Sequence, residues 1–163
     1  MKITHRHEFE ATLTDVSSML TDPAFARERA AALGTEAQEV DIDAREDGTE
    51  TVVLRARVPA TSIPAEFRSF LGRDLTVTYT EVWEPLTDAD RVGTFAVEIA
   101  GAPGHVSGAI GITARGAATE LLATGDVIAN VPLVGPMIER AVAGAVERAF
   151  TDQLNVADSW LTR

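Results

Sequence analysis

The chain of 163 residues has no cysteine, and its one lysine is Lys2. Without cysteine there is no disulfide framework, no thiolate metal site and no cysteine nucleophile. Basic residues are also few, since 14 of them stand against 25 acidic residues and leave a net charge of −11. This charge repels nucleic-acid phosphates and anionic membrane surfaces. We therefore expect no nucleic-acid partner.

Long apolar runs are missing too. No segment approaches the roughly 20 apolar residues of a transmembrane helix, and the first residues lack the apolar region of a signal peptide. The hydrophobic content of 45% is nevertheless enough for a sizeable core. These features predict one cytoplasmic domain spanning residues 1–163, with no stable membrane insertion.

Alternation of apolar and polar residues is typical of strands with one covered face. It occurs in seven stretches, at 3–11, 38–45, 51–58, 75–83, 95–99, 106–114 and 119–130. Asp47-Gly48, between the second and third stretches, is a strong hairpin signal. Two short helices are expected after the first stretch, one capped by Thr14 or Asp15 and one restarting at Asp22-Pro23. Residues 59–72, with two prolines, predict a long apolar loop containing a helical turn.

The C-terminal stretch predicts one long amphipathic helix. From Met137 to Leu161 apolar residues recur at steps of three and four, with polar residues between them. Pro136 suits a first helical turn, and no proline follows it. An unbroken helix from Pro136 to Leu161 would be roughly 39 Å long. A seven-stranded antiparallel sheet with short connections must curl and needs such a cover, so we predict an α+β fold in which the sheet wraps around this helix.

The order of these elements, with Pro132-Leu133-Val134-Gly135 leading into the long helix, resembles the helix-grip superfamily. That superfamily includes START lipid-transfer domains, birch-pollen allergens and polyketide cyclases. The segments Ile3–Phe9, Asp22–Phe25 and Val82-Trp83 further resemble an uncharacterised, mostly actinobacterial family within it. The resemblance covers essentially the whole chain. It implies the helix-grip fold and an apolar cavity between sheet and helix, but it transfers no catalytic residue, because members of this fold perform unrelated functions.

A cavity of this kind would hold a small hydrophobic molecule, lipid-like or polyketide-like. The alternative is that the same side chains fill the space, as in most protein interiors. The candidate lining residues from the sheet are Val40, Ile42, Val52, Leu54, Leu75, Val77, Tyr79, Phe95, Val97 and Ile110. Those from the helix are Met137, Ile138, Ala141, Val142, Ala145 and Phe150.

Polar candidates are fewer. His5 and His7 share one strand face, where two imidazoles can converge on one metal, but a catalytic zinc site needs a third protein ligand that the sequence does not reveal. Hydrogen-bonded histidines at the sheet edge, or a proton-transfer pair at the cavity mouth, are the other interpretations. Tyr79 and Trp83 combine a large ring with one polar group, which either orients a ligand or satisfies an internal acceptor. We predict neither a metal nor a cofactor.

Three functions remain open at this point. The first is a non-enzymatic binder of a small hydrophobic molecule. The second is a cyclase- or hydratase-like enzyme that uses His5, His7 or Tyr79 as acid or base. The third is an interaction module that docks a partner through the apolar loop at 63–71, which contains Phe67 and Phe70. We expect a monomer or a weak homodimer.

Overall fold

A computed structural model describes residues 1–33, 38–59, 61, 65, 68–71 and 74–163. The strands are β1 (Lys2–Phe9), β2 (Gln38–Ala44), β3 (Glu50–Pro59), β4 (Asp74–Trp83), β5 (Asp90–Ile99), β6 (Gly104–Arg115) and β7 (Ala118–Ala129). The helices are α1 (Leu13–Leu20), α2 (Pro23–Ala32), α3 (Arg68–Leu71) and α4 (Gly135–Leu161).

The seven strands form one antiparallel sheet in the order β1-β7-β6-β5-β4-β3-β2. Strands β2 to β7 are joined to their sequence neighbours, whereas β1 pairs with β7, from Lys2 opposite Asp126 to Phe9 opposite Thr119. Helices α1 and α2 take the chain from β1 at one edge to β2 at the other. The predicted α+β helix-grip fold, with two short helices between the first two strands, is confirmed.

Local signals explain where several elements begin. Gly48 has a φ of 91°, a left-handed conformation that glycine adopts without strain, and it makes the predicted hairpin between β2 and β3. Asp22 caps α2 as expected, because its carboxylate accepts from the backbone N–H groups of Ala24 and Phe25. The cap of α1 is Thr12, whose hydroxyl accepts from the N–H of Asp15. The expectation of a cap at Thr14 or Asp15 was therefore wrong by two or three residues.

The main core lies on one face of the sheet. In β4 this face carries Leu75, Val77, Tyr79, Glu81 and Trp83, because successive side chains of a strand alternate between faces. Buried residues of α1, α2 and α4 pack into the same core cluster as the buried residues of this face. All three helices therefore cover the same side of the sheet.

Small residues in β7 leave room for a large ring from another strand. A Cβ atom built on Gly125 would lie 3.0 Å from the Phe95 ring and 2.6 Å from the carbonyl oxygen of Ser107. Phe95 itself is buried. The space left by Gly125 is thus occupied by an internal side chain.

Helix α4 buries one stripe, formed by Ile138, Ala143, Val146, Phe150, Gln153, Leu154 and Ala157. Within the described part of the chain, no helix is long and apolar enough to cross a membrane. The helical turn predicted between β3 and β4 is present as α3. Phe67 lies outside the described residues, and the side chain of Phe70 is not described either.

Candidate functional site

A buried ion pair joins α2 to the middle of the sheet. Arg29 lies on α2 and Glu81 on β4, and both side chains are buried. The guanidinium donates from Nη2 to Oε1 of Glu81 at 2.5 Å and from Nη1 to Oε2 at 3.3 Å. Arg29 also donates from Nε to Oε1 of Gln153, on α4, at 3.0 Å. One arginine therefore ties α2, the sheet and the C-terminal helix together.

Two aromatic side chains complete this cluster. Tyr79 and Trp83 flank Glu81 at the i−2 and i+2 positions of β4, so all three side chains share the covered face. The hydroxyl of Tyr79 donates to Oε1 of Glu81 at 2.6 Å, and the indole N–H of Trp83 donates to Oε2 at 2.9 Å. We call Arg29, Tyr79, Glu81, Trp83 and Gln153 the Glu81 cluster.

The charges of Glu81 and Arg29 stabilise each other's ionised form. Burial alone would raise the pKa of Glu81, but the charge of Arg29 and the donated hydrogen bonds lower it below its ordinary value. Burial alone would lower the pKa of Arg29, and the carboxylate of Glu81 raises it instead. Burial, with the negative charge of Glu81, raises the pKa of Tyr79. The ionised pair and the neutral phenol are therefore the stable state.

The Glu81 cluster is saturated with hydrogen bonds. Each carboxylate oxygen of Glu81 accepts two of them, so neither has a free lone pair in the right place to take a proton from a substrate. The phenol proton of Tyr79 is likewise committed to Glu81. The geometry of the Glu81 cluster suits a structural contact between α2, the sheet and α4, and it does not suit a general acid or base.

Sequence reasoning missed three members of the cluster: Arg29, Glu81 and Gln153. The sequence did contain one indication that Glu81 is buried. Glu81 lies on the face of β4 that the helices cover, whereas Val82, on the opposite face, is 37% exposed. A charged residue on the covered face of a strand needs a buried partner. Nothing in the sequence identified that partner as Arg29, which is 52 positions away.

The predicted lining residues fall into three groups by burial. Buried are Val52, Leu54, Leu75, Tyr79, Trp83, Phe95, Ile110, Ile138 and Phe150. Partly exposed are Val40, Ile42, Val77, Val97, Ala141 and Val142. Exposed are Ala145 and Met137, the latter by 48%.

The exposed pair corrects the expected helix face. Met137 precedes the buried Val146 by about two and a half helical turns, which places it on the opposite side of α4. Ala145 is rotated by about 100° from Val146. Ala143, which was not among the candidates, is buried at 2% exposure instead. The apolar stripe read from the sequence was wider than the face that packs.

The apolar space between sheet and helix is divided into two clusters. The larger contains Tyr79, Phe95 and Phe150, and the smaller is centred on Leu75 and Ile138. Val142 packs against both. Val77 lies between Leu75 and Tyr79 on the same face, yet among the described residues it packs with neither cluster and stays partly exposed. Val77 is therefore a partly exposed valine on the covered face, in the half of β4 away from Glu81.

Phe150 is the centre of the aromatic contacts under α4. Its ring lies 5.5 Å from that of Phe95 and 6.2 Å from that of Tyr79, both at steep angles, and 5.5 Å from that of His5 in a stacked arrangement. Edge-to-face and stacked pairs at these distances are favourable. The aromatic group therefore packs Phe150 of α4 against β1, β4 and β5.

His5 lies on the covered face of β1, against Phe150. Its Nε2 atom is buried and has no hydrogen-bond partner among the described residues. Burial lowers the pKa of His5 below its ordinary value, and the nearby His7 lowers it further, while Glu147 acts in the opposite direction. The imidazole is therefore held neutral and behaves as a ring of the core.

Replacing His5 by phenylalanine will remove a pH dependence of stability. Because the folded-state pKa of His5 is lowered, the unfolded state binds more protons below about pH 6.5, and the wild type loses stability as the pH falls from about 6.5 toward the folded pKa. His5→Phe keeps the stacking and lacks this slope. Urea unfolding at several values between pH 5 and 7.5 measures it, and parallel pH profiles for the two proteins would contradict the assignment.

His7 is placed differently from His5. Its Nε2 atom lies 3.0 Å from Oδ1 of Asp158, on α4, and its ring packs edge-on against Phe9. Within the described residues, no group of three or more histidine or carboxylate side chains is placed to hold a metal ion. The described contacts of the two histidines thus lead to different partners on α4.

A separate cleft of about 410 Å³ lies against β4, β5 and β6, beside the β5–β6 turn. It is lined by Thr78, Glu98 and His105 together with residues of the β5–β6 turn. These three are paired across the strands and lie one residue out of phase with Tyr79, so they belong to the face opposite α4. The cleft is therefore distinct from the space beneath the helix.

Comparison with solved structures shows the class of fold. TTHA0849 from Thermus thermophilus superposes with a TM-score of 0.63 at 14% identity, covering 98% of this chain and 95% of that one. A START superfamily protein from Mycobacterium smegmatis gives 0.56 at 14% identity, covering 98% of both chains. Dicamba monooxygenase bound to 3,6-dichlorosalicylic acid gives 0.55 at 14% identity, over 97% of this chain and 48% of that one. These similarities show a START-like fold.

The sequence identifies the family within this class. Residues 4–161 match the family described as "Protein of unknown function (DUF2505)". Because the match spans almost the whole chain, the protein belongs to this family. No curated protein matches the sequence.

Proposed function

We propose that the protein binds a small hydrophobic molecule, lipid-like or polyketide-like, between the sheet and α4. The observation that carries the proposal is the partial exposure of Val77, from which we infer a gap in the packing beneath α4, the Val77 gap. A covered-face valine between two buried clusters stays partly exposed, whereas protein interiors are otherwise close-packed. The proposal keeps the cytoplasmic location and the monomeric or weakly dimeric state expected from the sequence.

The fold supports this proposal. Small-molecule sites are mostly apolar spaces at places where structural elements diverge, and a curved sheet around a straight helix offers one. One solved protein of similar fold, dicamba monooxygenase, is bound to an aromatic acid. A protein that shares this fold over part of its length thus holds a small molecule.

The side chains around the gap indicate the chemistry of the ligand. Leu75, Val77 and Val142 are aliphatic, while the buried charges of Arg29 and Glu81 are already paired with each other. An ionised ligand group buried beside these aliphatic side chains would lack a partner at high cost. We therefore infer a ligand whose enclosed part is neutral and apolar.

Filling the Val77 gap should weaken ligand binding. Val77→Trp adds a large ring where the packing is open, so the affinity for the neutral fluorescent probe N-phenyl-1-naphthylamine should fall by about tenfold or more, equivalent to about 1.4 kcal/mol. A neutral probe avoids repulsion by the net charge of −11. Fluorescence titration measures the affinity, and native mass spectrometry after mild purification detects a ligand carried from the cell.

Val82→Trp is the matched control. Val82 lies on the same strand but faces away from α4 and is 37% exposed. This variant should bind the probe as the wild type does. Equal loss in both variants, or no probe binding by the wild type, would refute a ligand site at Val77.

The enzyme alternative receives no support from a specific contact. It needs two of His5, His7 and Tyr79 acting in one pocket. The hydroxyl of Tyr79 donates to Glu81, and His7 contacts Asp158. The interaction-module alternative depends on Phe67 and Phe70, which lie outside the described residues or side chains. Ligand binding is therefore the function that we propose.

A further inference from the structure

The turn that leads from β7 into α4 displays one leucine to solvent. Leu133 is 101% exposed and has a φ of 71°. A left-handed conformation is unfavourable for a bulky residue. The turn is fixed by hydrogen bonds from the N–H of Gly135 to the carbonyl of Val131 and from the N–H of Val134 to that of Pro132. The fold therefore holds an apolar side chain outward at some cost.

Met137, one helical turn further on, is the second exposed apolar side chain in this region, at 48%. We call Leu133 and Met137 the apolar tip. Residues 131–138 contain no charge in a chain of net charge −11. The next acid, Glu139, is engaged by the terminal amine of Met1 at 3.4 Å and by the N–H of Ala129 at 3.1 Å. Arg140 follows it and is exposed. The apolar tip, at the turn into α4 and its first helical turn, thus lies in an uncharged segment that suits a neutral lipid surface.

The apolar tip adjoins the end of the space that contains the Val77 gap. Val131 and Val134, on either side of Leu133 in sequence, pack against the cluster of Leu75 and Ile138. Leu75 and the Glu81 cluster lie at opposite ends of the covered face of β4. The Glu81 cluster therefore lies away from the tip, and Val77 lies on the tip's side.

We propose that Leu133 and Met137 insert into the surface of a neutral phospholipid bilayer, where the protein takes up or releases its ligand. Two protruding side chains offer far less area than the roughly 800 Å² per partner of a stable protein interface. A lipid surface needs no complementary shape, because it accommodates any apolar side chain that reaches it. The transfer role rests on the proposed ligand binding; the membrane contact is tested separately.

The test is co-sedimentation of the full chain with sucrose-loaded vesicles of phosphatidylcholine. The wild type should sediment with the vesicles, and Leu133→Asn should lower the partition coefficient by about fivefold or more, because an apolar side chain no longer leaves water. Asparagine tolerates the left-handed conformation better than leucine. The variant should therefore keep its melting temperature and its binding of N-phenyl-1-naphthylamine, which separates this outcome from failure of the ligand site.

Leu86→Asn is the control, since Leu86 is a 41% exposed leucine in the β4–β5 connection. It should sediment like the wild type. The proposal is overturned if the wild type stays in the supernatant, if Leu86→Asn loses as much binding as Leu133→Asn, or if binding grows with phosphatidylglycerol content. A concentration-dependent dimer that Leu133→Asn dissociates would show that a second copy covers the tip, and would also overturn it.

Discussion

Glu81→Ala should lower the free energy of unfolding by about 3–5 kcal/mol, because it leaves the charge of Arg29 buried without its partner. Arg29 is 4% exposed and cannot reach water without moving α2. The same substitution removes the acceptor of the Tyr79 hydroxyl and the Trp83 indole N–H. Urea unfolding at pH 7, followed by far-ultraviolet circular dichroism, measures the loss.

Two further variants define the cause. Glu84→Ala, an exposed glutamate just after β4, should change stability by less than about 0.5 kcal/mol. Glu81→Gln keeps the shape of the side chain, but its amide N–H₂ would face groups that are themselves donors, so a large loss remains. Equal stability of Glu81→Ala and Glu84→Ala would show that the ion pair does not hold these elements together.

The Glu81 cluster also gives the protein an acid limit. The pKa of Glu81 is lowered in the fold, so the stability from its ionisation is present above the unfolded pKa and is lost as the pH falls through the lower, folded value. His5 acts at higher pH than Glu81. Because its folded pKa is lowered, protonation of His5 destabilises the fold as the pH falls below about 6.5. The two groups therefore act in separate pH ranges, one below about pH 6.5 and one below the ordinary pKa of a glutamate.

The fold could be predicted because its signals are local. Period-two alternation marks each strand, Asp47-Gly48 marks a hairpin whose glycine has a φ of 91°, and Asp22 caps α2 through its own carboxylate. Each signal depends on residues only a few positions apart. Their order along the chain was then enough to predict an antiparallel sheet covered by one long helix.

The interior of the site could not be predicted in the same way. Glu81 and Arg29 are 52 positions apart, and Arg29 and Gln153 are 124 apart, so only the packed fold brings them together. The helix face was misjudged for a related reason. Steps of three and four fit a wide apolar stripe, and contact with the sheet selects Ala143 and Val146 over Met137 and Ala145. Tertiary contacts decide which residues far apart in sequence meet and which face of a helix is buried.

Phe150→Ala should also cost about 3–5 kcal/mol, because truncating a buried phenylalanine removes its packing and leaves a cavity. Phe150 is 5% exposed and contacts the rings of His5, Tyr79 and Phe95. A loss of this size lowers the melting temperature by roughly 6–20 °C in a domain of this length. Differential scanning calorimetry measures both the melting temperature and the unfolding enthalpy.

Met137→Ala is the control on the same helix, and its side chain is 48% exposed, so it should cost far less than Phe150→Ala. Phe150→Leu, which keeps part of the volume, should fall between them. The order of the three variants matters more than any single value, because it follows from how deeply each side chain is enclosed. If Phe150→Ala were no more harmful than Met137→Ala, the aromatic group would not be packed beneath α4.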